Sequence, residues 1–121
     1  ILKRLRGPNA VALDIGGWIG LTSLYMSYML PRVVAFEPDV SARSEFVANV
    51  ALNPLLEPRI HIYDNCISDK REVVHMKGEP GASWSSLMFF EDKTLPSWKV
   101  TCFPLEELLV RAGVNGSDVI L

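Results

Sequence analysis

The stretch VALDIGGWIG, Val11 to Gly20, carries the decisive pattern of this chain. Apolar residues run into a single acid, Asp14, and three glycines, Gly16, Gly17 and Gly20, then punctuate a turn that opens onto another apolar run. Val11 to Ile15 reads as a short buried strand, and Trp18 to Leu30 has helical length, with Pro31 blocking its continuation.

Working outward, RVVAFEP (residues 32–38) is a second β-branched and apolar strand, stopped by Pro38. The following DVSARSEFVANVAL reads as a helix capped by Asp39 or Ser41, with Phe46, Val47, Val50 and Ala51 on one face. After Asn53-Pro54, RIHIYDNCIS supplies a third strand from about Arg59 to Tyr63, tipped by Asp64 and Asn65. Three strand-then-helix beginnings with hydrophobic strands predict an α/β fold built on a parallel sheet with both faces covered.

The pattern then changes. EVVHMK, SSLMFF and KVTCF are short strand-like runs separated by Gly78, Pro80, Gly81 and Pro96, which predicts an antiparallel hairpin inserted beside the parallel core. PLEELLVRAG is a compact helix with Pro104 in its first turn and Gly113 past its end, and SDVIL begins the next parallel strand. No internal repeat or linker divides residues 1–121, so one domain is expected. The chain lacks an initiator Met, and a six-stranded doubly wound sheet would need about 180 residues at about 30 per βαβ step. The expectation is a C-terminally incomplete domain with an unpaired sheet edge that promotes self-association.

Hydrophobic residues make up 49% of the chain and charged residues 21%, enough for a real core. The net charge of −2 offers no footprint for nucleic acid, and Lys3, Arg4 and Arg6 read as a solvated face. The most apolar window, IGLTSLYMSYML, is interrupted by polar residues and is shorter than the roughly 20 apolar residues of a membrane span. Cys66 and Cys102 stand apart without metal-ligand spacing and read as free, buried thiols, for which a reducing, cytoplasmic compartment fits best. No metal site is expected.

In an open parallel sheet, ligands bind outside the carboxyl ends of the strands, and Asp14, Glu37 and Asp64 all fall there. A dinucleotide fingerprint starting at Gly16 would need glycines where Trp18 and Leu21 stand, and the Gly-Lys-Ser/Thr of a phosphate loop is absent. What remains, D-x-G-x-x-x-G, suits a nucleoside ligand with a positively charged end, such as S-adenosylmethionine. Glu37 lies 23 residues beyond Asp14, close to the roughly 20-residue offset at which an acid reaches ribose hydroxyls, and its two oxygens can accept from both of them.

VALDIGGWIGLTSLY, VVAFEPD, NVALN, IHIYDNCISDK and VTCFPLEELL, in this order, resemble the FkbM-type family of S-adenosylmethionine-dependent methyltransferases. The resemblance runs from about Val11 to Leu121 and implies a Rossmann-like class I methyltransferase fold. It implies that Asp14, Gly16, Gly17, Trp18 and Gly20 hold the methionine portion of the cofactor, that Glu37 takes the ribose with Pro38 shaping the turn, and that Asp64, Asn65 and Cys66 border the adenine. The family commonly has Ala-Asn where this chain has Gly17-Trp18, so an indole stands at the pocket wall or across it. The implied reaction is methyl transfer to a hydroxyl of a small molecule or glycan, such as a sugar or natural product. The family's acids near the transferred methyl would follow Leu121, so no general base is assigned. The alternative is a non-catalytic nucleotide-binding or interaction module.

His61, between Ile60 and Ile62, reads as a partly buried structural histidine rather than a base, and His75 falls in the hairpin. Trp84 and Trp98 flank the insertion as loop anchors, and Asn115-Gly116-Ser117 reads first as a turn.

Overall fold

The computed structural model describes residues 7–81, 94–114 and 118–120. In chain order it contains β1 (Ala10–Ile15), α1 (Leu21–Met29), β2 (Arg32–Phe36), α2 (Val40–Ala51), a single 3₁₀ turn at Glu57–Arg59, and β3 (Ile60–Tyr63). These are followed by β4 (Cys66–Ile67), β5 (Glu72–Lys77), β6 (Ser97–Phe103), α3 (Leu105–Arg111) and β7 (Asp118–Ile120). The strand SSLMFF, Trp84, the basic cluster at residues 3–6 and the Asn115 turn expected from sequence lie outside the described residues.

Four core strands pair in the order β3-β2-β1-β7, every pair parallel. Because side chains alternate along a strand, β1 divides its residues between two cores. Ala10 and Ala12 join Val33, Ala35 and Ile60 against Phe46 and Val50 of α2, with Leu24, Met26 and Met29 of α1 packed alongside. Val11 and Leu13 join Val34 and Phe36 on the opposite face, against Leu108 of α3, Ala112 and Val114. Small residues on the α1/α2 side let the Phe46 ring reach the sheet, where it is fully buried. Burial on both faces explains why β1 and β2 show no polar alternation.

The helix boundaries differ from expectation for a local reason. α1 begins at Leu21 rather than Trp18, because Trp18 (φ 48°) and Gly20 (φ 90°) are left-handed and cannot continue a right-handed helix. Leu30 is already extended ahead of Pro31. In α2, Ala42, Phe46 and Val50 form the buried stripe, whereas Val47 and Ala51, expected on it, are exposed. A helix packed on a sheet through an i, i+4, i+8 line leaves positions one residue further round the helix in solvent.

A second sheet has the order β4-β6-β5, with β5 antiparallel and β4 parallel to β6. The antiparallel β5–β6 pair was expected, and the parallel β4–β6 pair was not. That pairing sets Cys66 opposite Cys102, and the two form a disulfide, so the free-thiol reading of these cysteines is corrected. The pairing also withdraws the argument from free thiols to a reducing compartment. Between the sheets and α3, the Arg32 guanidinium donates to Ala112 O and, at 3.1 Å, to Gly113 O, satisfying carbonyls that the end of α3 leaves without helical partners. Among the described residues no helix is long and apolar enough to cross a membrane, and no group of three or more His, Cys, Asp or Glu is placed to hold a metal.

Candidate functional site

Asp14, Gly16, Glu37 and Asp64 meet at the carboxyl edge of the parallel sheet. The register pairs Asp14 with Ala35, Ile15 with Phe36, and Phe36 with Tyr63, so Glu37 leaves β2 level with Gly16 on one side and Asp64 on the other. Backbone bonds fasten the meeting point: Gly16 N–H donates to Phe36 O at 2.9 Å, and Glu37 N–H donates to Tyr63 O at 2.9 Å.

Glu37 is the centre of the site and is only 5% exposed. Its Oε2 accepts from the Trp18 backbone N–H at 2.8 Å, and its Oε1 accepts from the Asp39 N–H at 2.8 Å. Burial pushes the carboxyl above its ordinary range, the two N–H bonds pull it partly back, the Asp39 charge adds to the rise, and the Arg43 cation opposes it. Arg43 also donates to Glu37 O at 2.8 Å, so a cation closes the other side of the turn.

The glycines have a packing role as well as a turn role. A Cβ on Gly17 would stand 2.8 Å from Phe46 Cε1, and one on Gly20 would stand 2.2 Å from Phe46 Cδ2. The loop thus lies directly on the Phe46 ring, an interaction nothing in the spacing of the glycines revealed. Gly16, with φ 77°, has open space around its Cα and serves the backbone alone. Asp14 Oδ2 accepts a 2.6 Å bond from the fully buried Ser23 hydroxyl, which joins the end of β1 to α1.

Trp18 reaches across this edge. Its indole Nε1–H donates to Gly81 O at 2.9 Å, and Gly81 N–H donates to Asp39 Oδ2 at 2.8 Å. Asp39 Oδ1 meanwhile accepts from Ser41 and Ala42 N–H, which makes Asp39 the α2 cap, as one of the two expected residues. The sequence marks the cap but not the bond to Gly81, because no local signal links Asp39 to a residue beyond β5.

Pro38, Asp64 and Asn65 line one cavity of about 150 Å³ with Val40, Arg43, Lys99, Val100 and Thr101. Asp64 and Asn65 are therefore brought together in one cavity. Cys66 does not line that cavity; it is turned into the second sheet's core with Met76, Val100 and Cys102. Lys99 and Thr101 were missed, since β6 is distant in sequence. His61 is exposed on β3 rather than partly buried, and desolvation and then the Arg32 cation hold it below the usual histidine range. His75 is also exposed, on β5.

Chemically, the polar cavity at this edge offers one carboxylate, Asp64, and two cations, Arg43 and Lys99, while Asp14, Glu37 and the glycine loop are not among its lining residues.

No family model matches the chain, and no solved structure matches it. Over 78 residues, 63% of its length, the chain is 37% identical to a protein described as AMB antimetabolite synthetase AmbE from Pseudomonas aeruginosa strain PAO1. The chain spans 4% of the length of that protein.

Proposed function

We propose that the chain forms the cofactor-binding part of a Rossmann-like, S-adenosylmethionine-dependent methyltransferase of FkbM type, acting on a hydroxyl of a sugar or natural product. The observation that carries this reading is the buried Glu37 carboxylate, set between the glycine loop and Asp64 at the carboxyl edge of the parallel sheet. Each of its oxygens accepts one N–H bond and keeps capacity for a second donor, so the pair can take the two hydroxyls of a ribose. The likeness to an antimetabolite synthetase supports an acceptor among natural-product intermediates.

The acids at the sheet edge, Asp14, Glu37 and Asp64, suit the hydroxyls and the cationic end of such a cofactor. Asp14 and the loop through Gly20 would hold its amino-acid end, Glu37 and Pro38 its ribose, and Asp64 and Asn65 its base. When bound, a sulfonium supplies a methyl group for in-line displacement by the acceptor oxygen. The protein's share is to hold both reactants in line, which supplies several kcal/mol, and to exclude water.

A second reading, a non-catalytic nucleotide-binding or interaction module, draws on two observations. Both Glu37 oxygens already have protein partners, and Phe46 accounts for Gly17 and Gly20 without any ligand.

Calorimetric titration with S-adenosylhomocysteine, with Glu37→Ala and an NAD control, separates the readings. Micromolar binding that is lost in the variant and absent for NAD is expected. No binding by the folded chain rejects the methyltransferase reading for this polypeptide.

A further inference from the structure

The hydrogen bonds around Glu37 close on themselves. Trp18 N–H donates to Glu37 Oε2, Trp18 Nε1–H to Gly81 O, Gly81 N–H to Asp39 Oδ2, and Asp39 N–H back to Glu37 Oε1. This circuit joins three segments far apart in sequence: the glycine loop, the β2–α2 turn and the turn that follows β5.

Trp18 is the member whose conformation costs energy. Its φ of 48° is left-handed, a region that bulky residues rarely adopt, and it is the only such non-glycine among the described residues. A backbone of this kind persists only where its surroundings hold it. Here the holding groups are known: the backbone N–H is bonded at the site and the indole N–H is bonded 63 positions away in sequence. Trp18 is 37% exposed, so packing alone does not fix it.

We propose that Trp18 is a positioning residue of the nucleoside site: its indole N–H, anchored on Gly81 O, holds the left-handed turn that presents the Trp18 backbone N–H to Glu37 and so orients the carboxylate toward a ligand's hydroxyls. The proposal rests on the nucleoside reading given above. Losing the anchor lets the turn relax, withdraws one donor from Glu37 Oε2 and frees Gly81 from the edge. With that donor gone, the Glu37 carboxyl ionises at higher pH. Asp39, which opposes ionisation, and Arg43, which favours it, are the charged groups that face Glu37 and remain in place.

The test compares wild type with Trp18→Phe, which keeps an aromatic ring and removes the indole donor, and with Trp18→Asn, which tolerates positive φ but is too short to reach Gly81. Three readouts are taken: exchange of the Gly81 amide, the NMR titration midpoint of the Glu37 carboxyl, and affinity for S-adenosylhomocysteine as a function of pH. In both variants the Gly81 amide should exchange at least tenfold faster. In Trp18→Phe the Glu37 midpoint should rise, and affinity should fall about tenfold, with its acid limb displaced to higher pH. An unchanged midpoint and unchanged Gly81 exchange in a folded Trp18→Phe overturn the proposal, whatever the affinities. If the exchange and midpoint respond but wild type binds no S-adenosylhomocysteine, the nucleoside reading fails and the positioning role toward a nucleoside falls with it.

Discussion

A single aromatic ring explains two of the glycines in the loop that opens the fold. Gly17 and Gly20 lie on Phe46, and Gly20 also has φ 90°, so a methyl group there meets both a strained backbone and an immovable ring. Gly20→Ala should cost about 2–5 kcal/mol, the sum of left-handed strain and overpacking. Gly16→Ala, left-handed but in open space, should cost about 1–2 kcal/mol. Urea unfolding of the two variants checks the order, and equal losses would contradict the Phe46 contact. Glu37 makes a separate prediction through pH. Burial raises its folded value above the ordinary 4.5, so the folded state binds the proton more tightly than the unfolded chain. Its contribution to stability is full below the unfolded value and is lost as pH rises through the folded one. The stability of wild type relative to Glu37→Gln should therefore fall as pH rises above the ordinary 4.5, as measured by urea unfolding at each pH. A relative stability that grows over that range is incompatible with desolvation as the leading cause.

At the scale of elements, Asp39 and the disulfide tie the parallel sheet's edge to the second sheet and hold that sheet together. Asp39 is 2% exposed and accepts three N–H bonds, two from the first turn of α2 and one from Gly81. Asp39→Ala should cost about 2–4 kcal/mol, from loss of a cap and of a buried tether, whereas Asp39→Asn, which keeps an acceptor, should cost less. Chemical denaturation followed by circular dichroism tests this. Cys66 and Cys102 join β4 to β6 across 36 positions of chain. Thiol titration of protein denatured without reductant should find no free thiol, and two free thiols would restore the reading made from sequence. Replacing both cysteines with serine should lower stability by about 3–4 kcal/mol on the loop-closure account. The cysteines were misread because their pairing depends on β4 lying parallel to β6, and a two-residue strand leaves no periodic trace in sequence.

For the whole molecule, the order β3-β2-β1-β7 leaves β3 and β7 at the two ends of the sheet. Leu21, Tyr25 and Tyr28 of α1, with Leu52 and Leu55 beyond α2, stand open to solvent. Unpaired edges and exposed apolar side chains favour association. Sedimentation should show self-association that grows with concentration, and a sharply monomeric species at high concentration would count against it. The parallel architecture was legible because strands buried on both faces must be apolar throughout, and because Pro31, Pro38, Pro104 and Gly113 mark boundaries through their own backbone limits. The acids at the carboxyl edge were legible because chain direction alone places the end of every parallel strand on the same side.

Local rules thus determined the α/β alternation, the α2 cap, and the convergence of Asp14, Glu37 and Asp64, since each depends on neighbours within a few residues or on strand polarity. Only the tertiary structure decided that Phe46 fills the glycine loop, that Cys66 meets Cys102, and that Trp18, Gly81 and Asp39 close a circuit around Glu37. Those contacts join residues that are distant along the chain, and their existence depends on how two sheets and a helix pack, which no local pattern encodes.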